Sequence, residues 1–263
     1  MILTVGATGN VGRELVFRLV VRGHPVRAVS RDPGGARAVL PAEVDIRAFD
    51  GDWGWADVEA VFVPQGFVPP SVFAAAALAG VKRVVYVSSY VAARYPDSPV
   101  GQSILDGERA VLDSGLAWTV LRPWELQSNV LAWAPGVRAD GVVRLPAVGR
   151  PSPAVDPADL AEVAARALVD ARHEGRTYHL TGPAELTAAA KVRLLGEALG
   201  RELSLVVAGE RPLDPDPVVE STLVPGVCGL DSPGVSDAVA SVVGRPARGF
   251  AQWARRHASA FTG

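Results

Sequence analysis

The first dozen residues set the strongest constraint on how this chain can fold. The apolar run Met1-Ile2-Leu3-Thr4-Val5 leads directly into Gly6-Ala7-Thr8-Gly9-Asn10-Val11-Gly12, and the helical pattern Arg13-Glu14-Leu15-Val16-Phe17-Arg18-Leu19-Val20 follows. Strand, glycine turn and helix in that order are what a dinucleotide fold requires. The glycines are spaced G-x-x-G-x-x-G, and they serve a turn of positive φ, a bare backbone beside a pyrophosphate, and close packing of helix on strand. A helix start also offers unpaired N–H groups and a partial positive charge to a phosphate. Gly6, Thr8, Gly9, Asn10, Val11 and Gly12 are therefore candidate cofactor-binding residues.

The second strand, Pro25-Val26-Arg27-Ala28-Val29, ends in Ser30-Arg31-Asp32-Pro33. This strand end lies beside the adenosine ribose in a dinucleotide fold, where an acid binds the free 2′-hydroxyl of NAD and an arginine binds the 2′-phosphate of NADP. Ser30 and Arg31 stand where the acid would be, which points to NADP(H). In the competing reading Arg31 is a solvated loop charge and Asp32 binds the ribose. Arg13 and Arg37 are second candidates for the same phosphate.

The third strand, Asp45 to Phe49, ends in Asp50, which is expected to face the adenine edge or to serve as a turn residue. The segment Trp53-Gly54-Trp55-Ala56-Asp57 then fills the place of a crossover helix before the strand Val58 to Val63. Parallel strands need connections of about ten or more residues, so this helix is expected to be stunted or missing. Pro64 and Gln65 leave the carboxyl end of the fourth strand, where nicotinamide and substrate would meet, and are candidate cofactor-binding residues, Gln65 as a polar contact. After the alanine-rich helix Ser71 to Gly80 comes the fifth strand, Val84 to Val87, with Ser88-Ser89-Tyr90 at its carboxyl end. A helix from Gln102 to Asp113 and a sixth strand, Leu116 to Leu121, complete the pattern. Arg122 to Asn129 is polar and aromatic, a candidate wall for a substrate pocket, while Trp118 and Trp133 read as core or lid packing.

Beyond residue 130 the alternation loosens. Gly141 to Pro146 looks like an isolated strand, Asp156-Pro157-Ala158-Asp159 opens a helix, and Thr177 to Gly182 is another strand in which His179 reads as a satisfied core histidine. A helix from Thr187 to Gly200, a strand from Glu202 to Val207, a proline-rich linker or lid from Arg211 to Pro217, and a terminal helix from Gly249 to Phe261 follow. The expected fold is α/β, a Rossmann-like doubly wound parallel sheet over 1–130, with a smaller irregular α/β substrate lobe over 131–263, part of which returns to the core sheet.

Composition removes several functions. A formal net charge of -2 with no basic run argues against direct nucleic-acid binding. The one cysteine, Cys228, excludes an internal disulfide, and the four histidines lack metal-ligand spacing, so no metal site is expected. Met1 leads straight into the first strand and no run spans a bilayer, so neither a signal peptide nor a membrane partner is expected, and the location should be cytoplasmic.

The motifs together resemble the NmrA-like branch of the atypical short-chain dehydrogenase/reductase superfamily: the turn Gly6 to Gly12, Ser30-Arg31-Asp32-Pro33, Val87-Ser88-Ser89, Ser114 to Pro123, Val155 to Val163, and Tyr178 to Pro183. The resemblance implies NAD(P)(H) binding on the amino-terminal domain, with Arg31 matching the family's NADP-selecting arginine. It leaves chemistry open, because the family holds quinone and aldehyde reductases as well as redox sensors. The superfamily's usual acid is a tyrosine four residues before a lysine. Leu78 and Thr187 precede Lys82 and Lys191, the only lysines, so that motif is absent. Ile104 stands where several relatives carry a histidine. Tyr90, four residues before Arg94, and Ser88 are the catalytic candidates. The expected activity is NADPH-dependent reduction of a quinone or conjugated, aromatic carbonyl small molecule by a monomer or homodimer. The alternatives are a non-catalytic NADP(H) sensor and a non-redox cyclase or epimerase.

Overall fold

Ile2–Thr4 (β1) are apolar or β-branched and wholly inside the protein, and they form a central strand of a seven-stranded sheet. The computed structural model describes residues 1–146, 149–207 and 230–262. The expected linker from Arg211 to Pro217, and Cys228, lie outside the described residues. The further strands are β2 (Val26–Ser30), β3 (Asp45–Ala48), β4 (Ala60–Pro64), β5 (Arg83–Val87), β6 (Ala117–Pro123), β7 (Val142–Leu145), β8 (Arg176–Leu180) and β9 (Ser204–Val207). The helices are α1 (Asn10–Val21), α2 (Pro33–Val39), α3 (Ser71–Leu78), α4 (Val91–Arg94), α5 (Pro99–Leu112), α6 (Ala134–Asp140), α7 (Pro157–Val169), α8 (Ala188–Leu199), α9 (Ala238–Val243) and α10 (Phe250–Arg256).

The large sheet has the order β3-β2-β1-β4-β5-β6-β8. The pairs from β3 through β6 are parallel. Beside them the Gly175 amide donates to the Trp118 carbonyl at 2.8 Å and the Trp124 amide to Leu180 at 3.2 Å. These bonds advance together along both segments, so β8 is parallel as well. This is a doubly wound Rossmann-like sheet, and its order reverses between β1 and β4, where a ligand crevice opens at the carboxyl ends of the strands. Strands covered on both faces read as continuous apolar runs, as Ala60 to Val63 do.

The chain divides into two units. The first holds Met1–Arg122 and Pro157–His179. Its core gathers Leu3, Val61, Val63, Phe73, Val84 and Val111. Helix α1 turns Leu15, Val16 and Leu19 inward while Phe17 and Val21 stay exposed. It packs on α7, whose residues are buried almost all round, as a helix in the interior of a layered fold must be. Glu162, on that helix, accepts from Arg22 at 2.6 and 2.8 Å and from Arg166 at 3.1 Å. Burial pushes its carboxyl up, but these arginines outweigh burial and hold it below the ordinary value.

The crossover from 49 to 59 has no helix. Its place is stabilised by a buried cation. Arg27, on β2, is only 3% exposed; its guanidinium donates to the carbonyls of Gly54 at 2.5 Å and Ala56 at 2.8 Å and to the Asp45 carboxylate at 2.7 Å. A helix satisfies its own carbonyls, whereas this loop takes its donors from a neighbouring strand.

The second unit comprises the described residues of 123–156 and 180–263. Gly141 to Pro146 is not an isolated strand: β7 pairs in parallel with β9, with Val142 opposite Ser204 and Leu145 opposite Val207. Trp133, Val137, Leu195, Trp253 and Phe261 fill its core. Lys191, 2% exposed, donates to both carboxylate oxygens of Glu125 at 3.0 Å, and Ser152 donates to the same group. Within the first unit, α5 begins at Pro99, three residues before the expected start, because Ser98 caps it by accepting the Gly101 amide at 2.9 Å. Among the described residues no helix is long and apolar enough to cross a membrane.

Arg27→Leu removes the donor from two loop carbonyls and should lower the unfolding free energy by about 3 kcal/mol in a urea titration, since each buried carbonyl left without a partner costs about 1–3 kcal/mol. Glu162 tests the acid limb. A carboxyl held below its ordinary value stabilises the fold above the unfolded value of 4.5 and loses that contribution as the pH falls through its folded value. Glu162→Gln should therefore be less stable than the parent at pH 7, with the difference shrinking in urea titrations carried toward pH 3.

Candidate functional site

A cleft of about 670 Å³ opens at the carboxyl ends of β1 and β2. Its floor is the turn after β1. Gly6 has a φ of +67°, a conformation that suits glycine alone, and its carbonyl accepts the Gly9 amide at 3.0 Å. Gly12 is in contact with that same turn: a Cβ added to it would sit 2.1 Å from the Gly6 carbonyl oxygen and 2.8 Å from the Ala7 Cα. Only glycine lets α1 seat against the turn.

Asn10 and Val11 open α1 behind Gly9 at its N-cap, and no side chain caps this helix. The first N–H groups of a helix have no acceptor within it, so they and the positive end of the helix dipole are available to an anion. The glycine turn, the uncapped helix and a cleft beside Thr8 fit the pyrophosphate of a dinucleotide.

Ser30, Arg31 and Asp32 line the cleft where β2 ends. The Ser30 hydroxyl lies 3.0 Å from the Asp32 carbonyl, and the Asp32 carboxylate caps α2 by accepting the Gly35 amide at 2.9 Å. Arg31 is exposed and has no ion pair among the described residues. Arg13 and Arg37 are exposed on α1 and α2 and do not line the cleft.

Asp50, Pro64 and Gln65 are not among the residues that line this cleft. The Asp50 carboxylate does not face the cleft; it accepts the Asp52 amide at 3.1 Å and so takes the turn role. Pro64 borders Gly6, and the Gln65 backbone amide donates to the Val87 carbonyl at 2.8 Å at the end of β4. The aromatic rings of Phe49, Trp53 and Phe67 line the cleft, although no motif in the sequence marks them.

At the carboxyl ends of β5, β6 and β8 a second group of polar side chains meets, all within the first unit. Ser88 is buried, and its hydroxyl donates to the Glu108 carboxylate, which also receives Arg122 at 2.8 and 2.5 Å. Ser88, expected to take part in the chemistry, holds the Glu108 carboxylate that in turn pairs with Arg122. Tyr86 packs its hydroxyl against Gly107, and burial together with the charge of Glu108 pushes its phenol up to about 12. Tyr90 stands just before α4 with its ring edge-on to His179, centroids 4.8 Å apart.

His179 is not the satisfied core histidine expected from the sequence. It is half-buried, and its Nδ1 has no hydrogen-bond partner among the described residues. Burial, and then the positive charge of Arg122, hold its pKa below the ordinary 6.5, so the ring is neutral at pH 7.

The expected substrate wall is also turned inward. Trp124, Gln127 and Ser128 are buried in the second unit, Glu125 is held by Lys191, and the Gln127 side-chain amide donates to the Ala154 carbonyl at 3.0 Å. Glu108 is absent from the motifs, yet the sequence carries a signal for it. It shares one face of α5 with Ile104 and Val111, at helical spacing, and a carboxylate on an apolar stripe must have a buried partner.

Comparison with known proteins agrees with this geometry. A family model described as NAD(P)H-binding matches residues 6–171. A (4-alkanoyl-5-oxo-2,5-dihydrofuran-3-yl)methyl phosphate reductase of Streptomyces griseus is 39% identical, over 99% of both chains. An NAD(P)H azoreductase of Xenophilus azovorans is 34% identical, again over 99% of both. Among solved structures, an NADPH-dependent quinone oxidoreductase of Escherichia coli has the same fold, with a TM-score of 0.75 at 24% identity over 97% of this chain and 99% of that one.

Gly12→Ala should either unseat α1 or shut the turn. Thermal unfolding is expected to fall by several degrees, and NADPH should no longer raise the midpoint, whereas it raises that of the parent through RT ln(1 + [L]/Kd).

Proposed function

The chain belongs to the NAD(P)H-binding family, in the NmrA-like branch of the atypical short-chain dehydrogenases/reductases, and is an NADPH-dependent oxidoreductase; on that premise we propose that it reduces a conjugated carbonyl compound, a quinone or an enone. The observation that carries this reading is the full-length likeness to the furanone phosphate reductase. That relative's name describes an unsaturated lactone bearing an alkanoyl group, in which a carbon–carbon double bond is conjugated with carbonyls.

Gly6, Thr8, Gly9, Asn10, Val11 and Gly12 would hold the pyrophosphate, and Ser30 and Arg31 the 2′-phosphate. When bound, NADPH supplies a hydride. In a conjugated acceptor the negative charge left after reduction spreads onto the carbonyl oxygen, so the demand on a protein acid is modest. A chain without Tyr-x-x-x-Lys suits such a substrate, because orientation supplies much of the rate.

Tyr90 is the proposed proton donor. His179 packs against its ring as a neutral group, and Arg122, fixed by Glu108 and Ser88, adds positive charge nearby. The ion pair and the buried serine keep these side chains in one geometry; they are positioning residues.

Purified protein should consume NADPH, seen at the dihydronicotinamide absorbance band, with at least one member of a panel of quinones, acyl-butenolides and enones. No substrate-dependent loss across the panel would overturn the reading. Arg31→Glu should lower the preference for NADPH over NADH by about tenfold or more, since charge-assisted hydrogen bonds are worth about 1.5–3 kcal/mol each. Tyr90→Phe should lower kcat while leaving the Kd for NADPH unchanged.

A further inference from the structure

We propose that Phe49 and Trp53 form an aromatic platform that holds the adenine of the cofactor by stacking and leaves the base's hydrogen-bonding edge unread. The proposal rests on the NADP(H) reading above and adds to it the means by which the base is recognised.

The platform follows from the missing crossover helix. With no helix over 49–59, the chain passes along the cleft as a loop and presents Phe49 and Trp53 to it. Their rings lie 4.6 Å apart at 49°, and Trp53 is followed by Trp55 at 6.4 Å. Trp53 is half-buried and packs on the first unit's core, while Phe49 is 38% exposed and lines the cleft beside it. Arg27 fixes the loop through the Gly54 and Ala56 carbonyls, and Gly54, at φ +64°, turns the chain directly after Trp53. The rings are therefore set in place by the protein itself. Ala36 and Leu40, from α2 and its end, line the cleft with further carbon.

The charged side chains around the platform already hold partners within the protein. The Asp50 carboxylate accepts the Asp52 amide, and the Asp52 carboxylate accepts the Gly54 amide at 2.8 Å. Asp32 caps α2. Arg47 is paired with Asp45 at 3.1 Å. An aromatic face accepts any base because every base has a π-face, whereas discrimination needs donors and acceptors aimed at the edge.

Isothermal titration calorimetry of the full chain tests this with NADPH, its hypoxanthine analogue, in which the adenine amino group is replaced by a carbonyl, and adenosine 2′,5′-bisphosphate. The parent should bind NADPH and the hypoxanthine analogue within about threefold of each other. Phe49→Ala and Trp53→Ala should each weaken adenosine 2′,5′-bisphosphate about five- to hundredfold, and Trp53→Phe should restore most of the loss. Discrimination against hypoxanthine by tenfold or more would overturn the proposal, as would unchanged affinity in Phe49→Ala with a parental circular dichroism spectrum. Phe49 is exposed, so its variant keeps the proposal testable even where Trp53→Ala unfolds. Failure of the parent to bind NADPH at all would instead bring down the NADP(H) reading on which the proposal stands.

Discussion

The contact between Gly12 and the Gly6 carbonyl is the constraint on which the rest of the first unit depends. The helix can follow the strand this closely only because residue 12 carries no Cβ, which would sit 2.1 Å from the Gly6 carbonyl oxygen. Seating α1 there directs its uncapped N–H groups at the cleft and its apolar stripe at the core, and it carries the opposite flank against α7. One missing methyl group thus sets both an electrostatic property, the anion-ready helix end, and a packing property, the layer that α1 and α7 share.

The two sides of the cleft are built on different patterns of hydrogen bonding. On the glycine side the backbone amides are left without partners inside the helix, ready for a ligand. On the aromatic side Arg27 and the turn aspartates take up the backbone of the loop, and the side chains that face the cleft are carbon. Polar recognition is concentrated at the phosphates and the ribose end, and apolar contact at the base.

Much of the first unit could be read from the sequence, because its signals are local. The glycine turn, the strand end at Ser30 and Arg31, and the missing helix before residue 58 are all matters of residue type and spacing along a short stretch. What could not be read is the choice of partner across long separations. Nothing near Arg27 says that its charge is taken up by carbonyls of a loop more than twenty residues on. The position of Ser88 after β5 was legible, while its hydrogen bond to Glu108, twenty residues on, was not. His179 was placed on a strand correctly, but the ring of Tyr90 and the charge of Arg122 beside it come from distant parts of the chain. The pairing of β7 with β9 was hidden for the same reason, since each strand alone showed only an apolar run.

The return of Pro157–His179 to the first unit, after an excursion through 123–156, has a consequence for how the protein is made. A ribosome delivers residues in order, so the helix that α1 packs against and the strand that covers the β6 edge reach the nascent chain only after part of the second unit has been synthesised. Until then the flank of α1 that packs on α7 faces solvent and β6 is an unpaired edge, the state most exposed to misassociation. The dinucleotide fold begins with the first strand to emerge, but its layers close late.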